Sequence, residues 1–134
     1  MSARILVVDD DAICRELERA FLEQLGYEVI EAADGVTALA MLRAERVDLL
    51  STGIILGPPM DGIELARRAR EQNPNLKVLF VSGDLRVERL EPKDRDRFVP
   101  KPYRIQQLAE AVAAALADSG RALKDAPWPI SSRP

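Results

Sequence analysis

Histidine is absent from the 134 residues, cysteine occurs once, and aromatic residues make up only 4% of the chain. Each scarcity removes a class of function. Without histidine there is no Ser-His-Asp or Cys-His catalysis, no phosphohistidine, and little scope for a zinc site. The single Cys14 excludes a disulfide framework and fits a reducing compartment. No apolar run approaches the roughly 20 residues of a membrane span, and residues 1–4 lead into a strand pattern without a signal-peptide layout. Positive charge is not in excess either. Nineteen Lys and Arg face 22 Asp and Glu, a net charge of −3, whereas a dedicated nucleic-acid binder needs a clustered basic surface. The expectation is a cytoplasmic protein with neither membrane nor nucleic acid as a partner.

What is present suits one domain with a real core: 47% of the residues are hydrophobic and 31% are charged. Apolar runs and amphipathic stretches alternate. Residues 5–8, Ile-Leu-Val-Val, form a β-branched-rich run that stops at three aspartates. Over residues 12–25, Ile13, Leu17, Ala20, Phe21 and Leu25 fall at helical spacing and predict the apolar face of a first helix, which Gly26 ends. Strands are predicted over 27–32, 47–52, 76–82 and 97–99. Further helices are predicted after Asp34-Gly35, over 61–72 and over 105–116. Between Leu85 and Asp96 the chain is highly charged around Pro92, so one short turn of helix is expected there. From Asp118 the periodicity stops, and the domain is drawn as 1–118 with a loose tail over 119–134.

Strands this apolar, alternating with helices, imply a parallel sheet covered on both faces. In such sheets ligands bind beyond the C-terminal strand ends, where strand order reverses. Polar or special residues follow strands at four places: Asp9-Asp10-Asp11, Thr52-Gly53, Ser82-Gly83 and Pro100-Lys101-Pro102. Adjacent carboxylates repel, and a hard divalent cation such as Mg²⁺ is a physical reason to keep them. Asp11 has the position of a helix cap; Asp9 and Asp10 either hold a cation or are solvated turn residues. Lys101, held between two prolines, offers an ammonium for an anion or is an ordinary turn lysine. Ser82 offers a hydroxyl or satisfies its own backbone.

These segments, together with Asp34-Gly35, Met60-Asp61-Gly62-Ile63-Glu64-Leu65, Val81-Ser82-Gly83 and Pro100-Lys101-Pro102-Tyr103, resemble the receiver domain of two-component response regulators. The motifs occur in the family's order over roughly residues 4–117. The resemblance implies an α/β fold: a doubly wound, five-stranded parallel sheet of order 2-1-3-4-5, with the fourth helix short or irregular. It implies a Mg²⁺ cofactor held by Asp9, Asp10 and the backbone carbonyl of Ile55. It makes Ser82 the switch hydroxyl, Phe98 the aromatic that changes rotamer with it, and Lys101 the partner of the phosphoryl oxygens. The family's phosphoacceptor aspartate lies five residues after Asp48, and that position is Gly53. Glycine has no nucleophile. The resemblance therefore implies a receiver that takes no phosphoryl group, either a natural pseudo-receiver or an Asp-to-Gly variant, with Mg²⁺ binding weakened by the missing carboxylate.

The implied partners are a sensor histidine kinase or histidine phosphotransfer protein, a downstream protein met through the face of the fourth helix, fifth strand and fifth helix, and a second copy of the chain. Only 17 residues follow Ala117, too few for an output domain, so output is expected through protein contact and the protein is expected not to be an enzyme. Two rivals remain. Asp9-x-Asp11 and Gly83-Asp84 are similar to motifs of haloacid dehalogenase-type phosphohydrolases, although Lys101 falls on the wrong side of the second motif. The other is an interaction module with no cation site.

Overall fold

A computed structural model describes residues 2–83, 87–95 and 97–117; the predicted tail over 119–134 lies outside the described residues. The elements run β1 (Arg4–Val8), α1 (Ala12–Gln24), β2 (Glu28–Ala32), α2 (Gly35–Ala44), β3 (Leu49–Thr52), α3 (Gly62–Gln72), β4 (Lys77–Ser82), a 3-10 turn (Val87–Arg89), α4 (Pro92–Arg95), β5 (Phe98–Pro100) and α5 (Ile105–Ala117). The strands pair in parallel in the order β2-β1-β3-β4-β5. That is the predicted doubly wound sheet, with the reversal of direction falling between β1 and β3.

Alternation along the strands divides the core into two layers. Ile5 and Val7 of β1 pack with Leu22 of α1 and Leu108 and Val112 of α5. Leu6 and Val8 face the other way, onto Leu39 of α2 and Leu65 of α3. Registers fix the upper rim: Val8 is opposite Thr52, and Ser82 is opposite Pro100. Asp11, Asp34 and Asp61 cap α1, α2 and α3, each carboxylate accepting from backbone N–H groups of its first turn.

Two elements depart from simple periodicity. α4 is a single turn, as expected from its charge and Pro92. It is held less by an apolar face than by Asp94, which is buried and accepts from both Arg70 guanidinium nitrogens at 2.6 and 3.0 Å. On α1 the predicted apolar face is overturned except at Phe21, which is partly buried against the core. Ile13 and Leu17 are 77% and 50% exposed, Leu25 is also exposed, and the buried residues are Glu18 and Leu22. The helix carries apolar residues on more than one side. Its roll is fixed by the Asp11 cap and by Arg15, which donates to Glu31 of β2 at 2.9 Å and to the Asp9 carbonyl at 2.7 Å.

α3 starts against the end of β3. The Gly62 N–H donates to the Ile54 carbonyl at 2.6 Å, and a Cβ on Gly62 would stand 1.7 Å from the Gly53 carbonyl oxygen. No side chain fits there without moving backbone. We expect Gly62→Ala to destabilise the fold by about 2–3 kcal/mol in a urea melt; an unchanged midpoint would mean that α3 can shift freely from the rim.

Candidate functional site

Four of the sequence-derived positions meet on the rim above the strand ends. β1 ends one residue before Asp9, which is only 4% exposed, while Asp10 is exposed. Gly53 follows β3 directly and its N–H donates to the Val8 carbonyl at 3.0 Å, placing it beside the Asp9 turn. Ser82, the last residue of β4, is buried, and its carbonyl accepts from the Lys101 backbone N–H at 3.0 Å. From that anchor the Lys101 ammonium reaches Asp9 Oδ2 at 2.5 Å, although β3 and β4 lie between their strands. The other Asp9 oxygen accepts from the Asp11 N–H at 2.9 Å.

Burial disfavours the Lys101 charge, but the Asp9 carboxylate outweighs it, and the ammonium is held above the usual lysine range. Asp11 is a cap, as its position suggested. Backbone N–H donation from Cys14 and Ile13 holds its carboxyl below the usual range. Phe98 does not join the rim. It sits at the start of β5 opposite Phe80, two residues below Ser82, half-buried against the α2/α3 core layer.

Position 53 has room for a side chain. Gly53 has no left-handed backbone conformation, and the nearest atoms a Cβ there would meet are a Leu56 methyl, the Val81 carbonyl oxygen and the Ile55 carbonyl oxygen, at 3.6 to 3.8 Å. The Ile55 carbonyl thus faces position 53 from the β3–α3 loop. Oxygen donors suited to a hard divalent cation are present in Asp9, Asp10 and this carbonyl. Among the described residues, however, no group of three or more His, Cys, Asp or Glu side chains is placed to hold a metal. The aspartates before and after position 53 in the sequence, Asp48 and Asp61, lie elsewhere. Asp48 accepts from the Arg4 N–H at the opposite end of the sheet, and Asp61 caps α3 and pairs with Arg89 at 2.6 Å.

Sequence reasoning missed Glu18. Its helix position reads as solvated, yet the side chain is 2% exposed beneath the rim and bonded to the Ser51 hydroxyl of β3. Burial, with the Asp9 charge adding to it, drives its carboxyl up to about 7, against the Ser51 hydrogen bond and the Lys101 charge. The available signal was faint: a polar Ser51 directly after the apolar Leu49-Leu50 of β3. Tyr103 and Cys14, both in part buried nearby, are pushed up chiefly by desolvation.

The family model for the response regulator receiver domain matches residues 5–113. Response regulator MprA of Mycobacterium bovis is 39% identical over 119 residues, covering 87% of this chain and 51% of that protein. The response regulator receiver protein CpdR of Brucella abortus is 37% identical over 116 residues, covering 84% of this chain and 96% of its own length. The chain thus spans about half the length of the first curated relatives it matches and nearly all of another. Among solved structures, response regulator TrrA of Thermotoga maritima, in complex with Mg²⁺ and BeF, superposes with a TM-score of 0.78 at 30% identity, covering 85% of this chain and 99% of that one. No helix among the described residues is long and apolar enough to cross a membrane.

The raised Glu18 carboxyl has a definite consequence for stability. An unfolded chain releases this proton near the ordinary 4.5, whereas the folded chain keeps it to about 7. Stability from this group is therefore complete below pH 4.5 and is lost as pH rises through 7. We expect Glu18→Gln to remove the loss, leaving the variant more stable than the parent at pH 8 by on the order of 3 kcal/mol. Urea melts at pH 5 and pH 8 measure it; parallel pH dependence in the two proteins would place Glu18 in water.

Proposed function

This chain belongs to the response regulator receiver domain family, and from that premise we propose that it signals by protein contact without taking up a phosphoryl group. The observation that carries the reading is Gly53. It lies at the end of β3 beside Asp9, with Ser82 and Lys101 on the same rim, and has no nucleophile to phosphorylate. Response regulators act with histidine kinases or phosphotransfer proteins. For this chain the partner is such a kinase or phosphotransfer protein, met without transfer. Downstream contact is through the face of α4, β5 and α5, and a homodimer is the remaining partner class.

Contact is favoured by the exposed Ile13 and Leu17 of α1; Leu17 also lines a cleft of about 380 Å³ with Phe21, Lys101, Pro102, Tyr103 and Ile105. An apolar surface beside the rim suits a protein partner better than a small polar substrate. The reading includes a cytoplasmic location, no enzymatic activity, no nucleic-acid or membrane partner, and a receiver unit over 1–118 followed by a tail over 119–134. The haloacid dehalogenase alternative lacks support, because the family model that matches residues 5–113 is that of the receiver domain.

Within this function Asp9, Asp10 and the Ile55 carbonyl would hold Mg²⁺, which when bound neutralises negative charge at the rim. Ser82, Phe98 and Lys101 keep the switch and charge-pairing roles that the family motifs assign. With one carboxylate missing and Asp9 bound to Lys101, binding is weak. The second reading, a module with no cation site, is favoured by the same Asp9–Lys101 pair and the absence of a three-acid group among the described residues.

Two measurements test these readings. The chain should gain no phosphoryl mass from acetyl phosphate, and Gly53→Asp, sterically accommodated at the rim, should gain one. Labelling of the unaltered chain would falsify the assignment of position 53. Isothermal titration should give Mg²⁺ affinity about tenfold or more lower for the unaltered chain than for Gly53→Asp, a difference of about 1.4 kcal/mol. Equal affinities count against the ligand set, and no binding to either protein supports the module without a cation.

A further inference from the structure

Beneath the rim the structure places two buried acids, Asp9 and Glu18, near one cation, Lys101. Lys101 is committed to Asp9 at 2.5 Å, and Glu18 lies against the hydroxyl of Ser51, sealed between α1 and β3. A carboxyl in that position is balanced while it holds a proton. Without the proton it is an anion cut off from water, with a hydroxyl as donor and the nearby cation already engaged.

We propose that Glu18 is a proton-operated switch: release of its proton to solvent turns a neutral partner of Ser51 into a buried anion that competes with Asp9 for Lys101. The inference goes beyond the signalling reading and stands without it, since it requires no kinase, no metal and no acceptor at position 53.

The charges around Glu18 support a single controlling group. Asp9 at the end of β1 and Lys101 before α5 act on it with opposite signs, and Tyr103 and Cys14 complete the titratable neighbours on that side. On the β2 side, Glu31 is tied to Arg15 and Arg19 at 2.9 and 2.5 Å, leaving neither arginine for Glu18. The charged residue of α5, Glu110, is exposed. Burial holds the Glu18 carboxyl at about 7, so a proton is exchanged in the range where cells work. Lys101 is tied through its own backbone to Ser82, so a change in its side-chain partner acts at the rim where β1, β4 and β5 end.

Nuclear magnetic resonance of the whole chain between pH 5.5 and 8.5 tests the proposal. The Glu18 carboxyl carbon is expected to titrate with a midpoint near 7, and the Lys101 and Ser51 amides to shift with that midpoint. Glu18→Gln should abolish the step at both amides, whereas Glu16→Gln, on the exposed side of α1, should leave it. Ser51→Ala removes a donor that favours the anion and should move the midpoint upward. If Glu18→Gln does not fold, the unaltered chain and Ser51→Ala still decide the matter. A Glu18 carbon titrating near 4.5, a Lys101 amide that ignores the Glu18 midpoint, or an unmoved midpoint in Ser51→Ala overturns the proposal.

Discussion

The pairing of Lys101 with Asp9 sets the character of the whole rim. Lys101 leaves the edge of the sheet after β5, is fixed by its backbone to Ser82, and spans two strands to reach an acid that β1 buries. Neither charge is fully in water, so each depends on the other. Removing one member of a well-buried pair costs about 3–5 kcal/mol, because the remaining charge is left uncompensated. At the end of β3, where an acid would draw the ammonium between two carboxylates, Gly53 contributes only backbone. The pair is therefore self-contained, which is why the rim holds together without a side chain at its centre.

The same charge arithmetic reaches one layer down. Glu18 is buried on the sheet side of α1, and the Ser51 hydroxyl answers its carboxyl. With Lys101 spoken for, the carboxyl resolves the conflict by keeping its proton. A buried acid that stays neutral is compatible with a stable core, but only below the pH at which it ionises. The stability of α1 against β3 and the charge state of the rim are thus linked through one side chain, and neither can be treated as independent of pH.

Most of the fold was legible in the amino-acid order. Apolar strands such as Val78-Leu79-Phe80-Val81 pointed to a sheet covered on both faces, and Asp11 was readable as the cap of α1, while the starts of α2 and α3 were legible to within a residue or so. The convergence of Asp9, Ser82 and Lys101 followed from their places after strands. The roll of α1 did not. Ile13 and Leu17 form an apolar stripe of their own, and the observed roll comes with tertiary contacts that helical spacing does not encode: Leu22 in the core, Glu18 on Ser51 and Arg15 on Glu31. Glu18 was hidden for the same reason, since a glutamate on a helix is read as solvated until the roll is known. The Arg70–Asp94 bond, which joins residues 24 apart in sequence, has no local signature at all.

Gly53 and Gly62 are adjacent in space but constrained differently. Gly62 is imposed by geometry, because its Cα lies against the Gly53 carbonyl and any Cβ would collide with it. Gly53 is imposed by nothing comparable, since its backbone conformation suits any residue and a Cβ would make ordinary contacts. The sheet, the α3 start and the Lys101 anchor are all complete without reference to the side chain at 53. A side chain added there would change the chemistry of the rim and not its architecture, because the backbone contacts that position the rim do not involve it. The backbone frame of the rim therefore does not depend on which side chain stands at position 53.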